Sequence, residues 1–165
     1  MDRSPGGKSV RLYGVMDWKR ATQYALQVLI YLNLRGATDP GWVPRWEIAE
    51  RLRIPRAFLA RVCRQLARAG FVEVQRGPGG GFRLAPGVDG VSVASILQAL
   101  EGPHGAAPCI LGFPECTDAQ WCPLHPLWQS LRDHLMEALQ RLTLADLTQE
   151  AIRRGLASEE VTSDA

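Results

Sequence analysis

Residues 56–85 read RAFLARVCRQLARAGFVEVQRGPGGGFRLA, and a change of period inside this stretch decides the fold. Up to residue 69, Phe58, Leu59, Val62, Cys63, Leu66 and Ala69 recur at three- and four-residue spacing, which gathers them on one face of an α-helix. Arg56, Arg61, Arg64 and Arg68 fall off that face. Gly70 is placed to cap the helix; Phe71-Val72-Glu73-Val74 then alternates as a strand does, residues 77–81 turn, and Phe82-Arg83-Leu84 returns. The glycine-rich turn joins two strands and lacks the Lys-Ser/Thr pair and following helix of a nucleotide phosphate loop, so that reading is set aside. What remains is a helix followed by a β-hairpin wing.

Upstream, residues 1–15 hold Ser4, Pro5, Gly6, Gly7 and Gly14 with no periodic apolar face and read as a flexible leader. Ala21, Ala25, Val28, Leu29 and Leu32 then mark an amphipathic helix from 17 to about 35, ended by Gly36. A second helix starts near Pro44 with Ile48, Ala49 and Leu52 inward, and Ile54-Pro55 breaks it from the arginine-bearing third. Two helices joined by a short turn, the second with arginines on its open face, match a helix-turn-helix whose second helix enters the major groove. Alone, the pair fits an ordinary helical hairpin with solvated arginines equally well; the wing moves the balance toward DNA. The candidate DNA-binding residues are Arg45, Arg56, Arg61, Arg64, Arg76 and Arg83, with Arg56 and Arg61 near the helix start placed for guanine edges.

Charge supports this. The net formal charge is +2, but residues 1–44 carry +3, residues 45–85 carry +6 and residues 86–165 carry −7. A basic block followed by an acidic one suits a half that faces phosphates joined to a half that stays off them.

Downstream, a fourth helix is capped by Ser92, presents Val93, Ile96, Leu97 and Leu100, and ends at Gly102. Past Pro126 a long helix carries Leu127, Leu131, Leu135, Leu139 and Leu142, a stripe suited to packing between protomers or against the first helix. Thr143 with Asp146 marks a further helix start, and the tail from 158 reads as disordered. Between the fourth and the long helix lie Cys109, Cys116, Cys122 and His125, separated by six, five and two residues, in a segment broken by Pro108, Gly112, Pro114 and Pro123. Clustered thiolates suit an iron-sulfur cluster or zinc. Cys63 reads instead as a small buried hydrophobe, and His104 and His134 as a loop and a solvated helical histidine. There is no signal peptide, bilayer-length apolar run or disulfide framework, so the expected setting is the cytoplasm.

From about residue 16 to 147 the chain resembles the Rrf-type winged-helix transcriptional regulators, which include the iron-sulfur regulator IscR and the nitric-oxide sensor NsrR. The resemblance rests on Tyr24-Ala25-Leu26, on Arg76-Gly77-Pro78-Gly79-Gly80-Gly81-Phe82 with Leu84-Ala85, on Val91-Ser92-Val93 with Glu101-Gly102, and on the spaced cysteines. It implies a cytoplasmic homodimer on a palindromic double-stranded operator, with a two-iron or four-iron cluster on Cys109, Cys116 and Cys122 sensing redox state, iron-sulfur status or nitric oxide. IscR-like members take their fourth ligand from a histidine three positions after the last cysteine, here His125. NsrR-like members use a carboxylate at a position that falls on Gln23 here. The first cysteine gap is six residues, against five in IscR-like members.

The expected architecture is therefore mainly α with a small β-hairpin: a leader at 1–15, a winged helix-turn-helix domain at 16–102, a cluster-binding loop at 103–125, a dimerisation helix and C-terminal helix at 126–157, and a tail at 158–165. Two other readings stay open: the same fold with zinc or a metal-free thiol switch, and an iron-sulfur electron carrier whose basic face docks an acidic partner. No catalytic acid-base pair or nucleotide fingerprint points to an enzyme.

Overall fold

The computed structural model describes residues 18–102, 109 and 122–155; the expected leader, His104, Cys116 and the tail from 158 lie outside the described residues. Six α-helices and one hairpin are present among them: α1 (Arg20–Thr38), α2 (Arg45–Arg51), α3 (Arg56–Arg68), β1 (Val72–Gln75), β2 (Gly81–Leu84), α4 (Val93–Glu101), α5 (His125–Arg141) and α6 (Leu144–Arg153). The mainly helical fold with a two-stranded wing agrees with the sequence reading.

α1 is the centre of the assembly. Its buried side chains Thr22, Ala25, Val28, Leu29 and Leu32 follow the helical repeat. α3, β2, α4 and α6 all pack on it. Each large aliphatic side chain fully buried there contributes roughly 1.5–3 kcal/mol relative to exposure. The helix runs three residues past the expected stop: Gly36 lies inside it, and the Asp39 N–H closes the end on the Arg35 carbonyl at 2.7 Å. A glycine weakens a helix without forbidding it, and the i→i−4 bonds carry the chain on to Thr38.

Between α2 and α3 the chain turns through Arg53, the one non-glycine residue with positive φ (50°) among the described residues. Burial of the adjacent Ile54, 2 % exposed, holds this turn, and the Ile54 N–H bonds the Ala49 carbonyl at 3.0 Å. In the wing, Val72 pairs with Leu84, Glu73 with Arg83, Val74 with Phe82 and Gln75 with Gly81. A third piece joins the hairpin: Val43, just before α2, exchanges both backbone bonds with Phe82 at 2.9 Å each. Sequence reading missed this bridge, because a single paired residue leaves no period. Gly81 makes it possible, since a Cβ there would lie 2.2 Å from the Val43 carbonyl oxygen.

A short 3₁₀ turn at Val88–Gly90, absent from the sequence reading, precedes α4. Ser92 caps α4, its Oγ accepting from the Ser95 N–H at 3.2 Å, and Gly102 ends it at φ 89°. The Val93 N–H bonds the Leu142 carbonyl at 2.8 Å and the Leu144 N–H bonds the Val91 carbonyl at 3.0 Å, stitching the head of α4 to the corner between α5 and α6. That corner carries the expected capping box of Thr143 and Asp146. α6, not the long α5, packs on α1, where the Asn33 amide donates to Thr148 Oγ1 at 2.9 Å. α5 packs on α4 and buries Trp128, while Leu127 and Leu131 stay exposed and Leu142 falls just beyond the helix end.

Glu101 closes the frame. Its carboxylate accepts from Thr22 Oγ1 at 2.5 Å and from the Lys19 N–H at 2.9 Å, and pairs with Lys19 Nζ at 3.1 Å. Burial alone would raise its pKa, but these hydrogen bonds and the lysine charge outweigh burial and hold it below the usual carboxylate value.

Two expectations follow from this packing. Gly81→Ala loses about 1–3 kcal/mol in urea unfolding, as backbone meets backbone, whereas Gly36→Ala, with no atom within 4 Å of its Cβ position, gains about 0.5–1 kcal/mol. Because the folded pKa of Glu101 lies below its unfolded value of about 4.3, its charge contributes stability above that value and the contribution is lost as pH falls through the folded pKa. Glu101→Gln therefore costs about 1–2 kcal/mol near neutral pH, and the gap to wild type closes in unfolding curves recorded below about pH 4.

Candidate nucleic-acid interface and metal-binding segment

At about 100° per residue, the buried Leu59, Val62, Cys63 and Leu66 of α3 occupy one side, and Arg61, Arg64 and Arg68 the opposite side. All three of these arginines are exposed, as are Arg45 and Arg56 at the heads of α2 and α3 and Arg76 on the wing turn. Among the described residues, Arg45, Arg56, Arg61, Arg64 and Arg76 have no acidic partner. The arginines of α5 and α6 contrast with them: Arg132 pairs with Asp133, Arg141 with Glu137, and Arg153 and Arg154 with Glu150. Free guanidinium groups on one face and neutralised ones on the other make the first the candidate anion-binding surface.

Arg83 differs from the other candidates. Its Nε pairs with Glu73 at 2.5 Å across the hairpin, and its guanidinium lies over the Trp42 ring, 4.5 Å from the centroid. Its charge braces the wing and is half spent there. Three contacts hold α2 and α3 in place. Tyr24 of α1 meets Phe58 of α3 edge to face at 5.4 Å. Tyr31 donates to Glu47 at 2.7 Å, and the same carboxylate accepts from Arg35 at 3.1 Å, fixing α2. Burial, then the bond to Glu47, pushes the Tyr31 pKa up to about 12. Gln65 of α3 donates to the Leu100 carbonyl of α4 at 3.0 Å, one residue before Glu101.

Beyond Gly102 comes the cysteine segment. Cys109 is buried, Cys122 is half-buried, and His125 is the first residue of α5, its N–H bonding the Cys122 carbonyl at 3.1 Å. Two of the four expected donors therefore share one turn at the head of α5. Cys116 lies outside the described residues, and no group of three metal-ligating side chains is gathered among those described. Gln23 is exposed and donates to the Trp18 carbonyl. Cys63 is 1 % exposed, and burial pushes its thiol up to about 12, as befits a packing residue with no reactivity. His134 is exposed on α5 beside the Ser130 carbonyl. Sequence reading missed two residues on the basic face: Trp42, under Arg83, and Trp46, 58 % exposed. Their signal was tryptophan next to arginine at the edge of a helix otherwise read for its aliphatic face.

No helix among the described residues is long and apolar enough to cross a membrane. Residues 18–150 match the Rrf2 family model, described as an iron-dependent transcriptional regulator. The chain is 31 % identical over 125 residues to the HTH-type transcriptional regulator IscR of Enterobacter sp. (strain 638), covering 76 % of this chain and 75 % of that protein. It is 29 % identical over 128 residues to IscR of Vibrio campbellii, covering 78 % and 74 %. Among solved structures it is similar to CymR, the global cysteine regulator of B. subtilis, with a TM-score of 0.67 and 26 % identity over 81 % of this chain and 97 % of that one. IscR of T. potens shares the fold, with a TM-score of 0.63 and 24 % identity over 82 % and 88 %. These matches set aside the electron-carrier reading, and the chain belongs to the Rrf2 family of DNA-binding transcriptional regulators.

Proposed function

We propose that the protein is a homodimeric regulator whose operator affinity depends on an iron-sulfur cluster held by Cys109, Cys116, Cys122 and His125. The observation that carries this reading is that Cys122 and His125 stand together at the start of α5, the His125 N–H bonding the Cys122 carbonyl. Three thiolates and one imidazole form a donor set of the right softness for an iron-sulfur centre. When bound, such a centre supplies a charge that changes with oxidation and a coordination number that changes with attack on iron.

The chain's own residues do the rest. Arg61 and Arg64 face out from α3 for the major groove, and Arg76 stands on the wing for backbone or minor groove. Leu127 and Leu131 of α5, more than half exposed, form with the half-buried Leu135 and Leu139 a stripe for the same helix of a second copy. Ligation at Cys122 and His125 acts at the head of that helix, and a two-fold axis along it favours a palindromic operator. These roles divide the chain as its sequence suggests, with DNA contact in 16–102, ligation in 103–125 and dimerisation in 126–157.

A second reading keeps the DNA-binding fold and places zinc, or free thiols alone, in the cysteine segment. The likeness to CymR, a cysteine regulator, favours weighing it, and three cysteines with one histidine is an ordinary zinc set.

Anaerobically purified protein is expected to be brown, to contain iron and sulfide, and to lose its visible charge-transfer bands in Cys116→Ala. A colourless protein with stoichiometric zinc, or one that stays metal-free after reconstitution, would establish the second reading instead. Leu131→Glu is expected to convert the dimer to a monomer in sedimentation and to weaken operator binding at least about tenfold, since both half-sites must be held together. Unchanged mass in that variant would place the interface elsewhere.

A further inference from the structure

One feature of the basic face is left over once α3 and the wing have been assigned. Pro44, Arg45 and Trp46 at the head of α2, Arg56 at the head of α3, and Gly79 and Gly80 of the wing turn enclose an open cleft of about 370 Å³. None of the six carries negative charge, and neither arginine has an acidic partner among the described residues. Trp46 leaves 58 % of its surface in water although Ile48 and Ala49 of the same helix are buried. The wing-side wall is bare main chain. A Cβ at Gly80 would lie 2.3 Å from the Gln75 carbonyl oxygen, and Gly79 has φ 73°, so side chains are kept out of that wall on both counts.

We propose that this cleft clamps one phosphate and its deoxyribose from the DNA backbone, with Arg45 and Arg56 on the phosphate and Trp46 packed against the sugar. The proposal rests on the DNA-binding reading of this face and adds Trp46 to it. It also moves Arg56 from base reading to backbone positioning. On α3, Arg56 lies about 70° from the centre of the buried stripe and lines the cleft beside Gly79 and Gly80, whereas Arg61, Arg64 and Arg68 lie on the side opposite the stripe. Two guanidinium groups flanking one site recognise a phosphate through paired donors, and an indole face covers the apolar side of a sugar without reading sequence. The cleft's openness argues against a small ligand held by burial, which needs most of its surface enclosed. Its position where α2, α3 and the wing converge puts a backbone segment between the two elements that enter the grooves.

The test uses the full-length protein and two labelled duplexes, one recovered by wild-type protein from a randomised library and one of mixed sequence, in anisotropy titrations across a salt series. Trp46→Ala is expected to weaken binding to both duplexes by the same factor, about five- to tenfold, with an unchanged salt slope, and Trp46→Phe to recover part of the loss. Arg45→Gln and Arg56→Gln are each expected to weaken both duplexes equally and to lower the salt slope by about one per bound protomer. The proposal is overturned if Trp46→Ala binds both duplexes as wild type does. It is equally overturned if Arg56→Gln erases the preference for the recovered duplex at constant slope. Arg64→Gln, outside the cleft, separates the two levels: lost affinity there with intact cleft variants defeats the clamp alone, while wild-type protein that binds neither duplex defeats the whole interface. Millimolar inorganic phosphate that quenches wild-type but not Trp46→Phe fluorescence and competes with DNA would make the cleft a small-anion site and overturn the assignment to DNA.

Discussion

Burial of α1 is the constraint on which the remaining structure depends. A helix with Ala25, Val28 and Leu29 wholly removed from solvent needs cover on several sides, and α3, β2, α4 and α6 supply it. These elements are the arginine-bearing third helix, a strand of the wing, the helix that leads to the cysteine segment and the last helix among the described residues. No two of them need extensive contact with each other to be fixed in relative position, because each is fixed to α1. The polar bonds on the flanks then set orientation: Tyr31 and Arg35 reach Glu47 of α2, Asn33 reaches Thr148 of α6, and Thr22 reaches Glu101 of α4. Tyr31, Asn33 and Arg35 lie just off the apolar stripe, where a hydrogen bond costs little burial, and Thr22 lies within it; each bond forbids rotation about the helix axis.

Charge is organised by the same geometry. The wing and the helix-turn-helix hold +6 between residues 45 and 85, yet Arg45, Arg56, Arg61, Arg64 and Arg76 have no acidic partner among the described residues, whereas Arg83 pairs with Glu73. On α5, on α6 and at its C-terminal end, acids and arginines are equal in number, and each of Arg132, Arg141, Arg153 and Arg154 sits beside a carboxylate. An exposed ion pair contributes little to stability, so the difference matters less for folding than for the field. One side offers cations that counterion release can exploit, and the other offers none. On the proposed reading, this asymmetry orients the protein on DNA before any base is read.

Much of this was legible in the sequence, and the reasons differ by element. The stripes of α1, α3 and α4 obey a strong helical period, Ser92 and Thr143 with Asp146 are side-chain caps that act locally, and the glycine-rich wing turn has few other solutions. What was not legible depended on partners distant in the chain. Val43 pairs with Phe82 across thirty-nine positions, and nothing near Val43 announces it. Gly36 resembles a stop and is carried through because its helix is long and otherwise well bonded. The leucines of α5 show a period, but a period cannot say which surface they meet; α6 took the place on α1 that α5 had been offered. At the site, arginines were found by charge, whereas Trp46 stayed hidden because an exposed aromatic has the same letter as a buried one.

The frame also limits how a change at the cysteine segment can reach the DNA. Glu101 is held by Thr22 and by both the backbone and side chain of Lys19, and Leu100 by Gln65 of α3, so the end of α4 is tied to α1 and α3 together. Gly102 follows immediately at φ 89°, a conformation that only glycine adopts freely. A displacement arriving from the segment is thus met by a soft joint and then by a pinned carboxylate, which resist its passage into α4. At the other end, Cys122 and His125 stand at the start of α5, whose exposed Leu127 and Leu131 have no cover among the described residues. On the proposed ligand set, the yielding path therefore leads into α5 and the spacing between two copies. The reading helix of each copy would then move as a rigid part of its own domain, changing its distance to its twin while keeping its seat on α1.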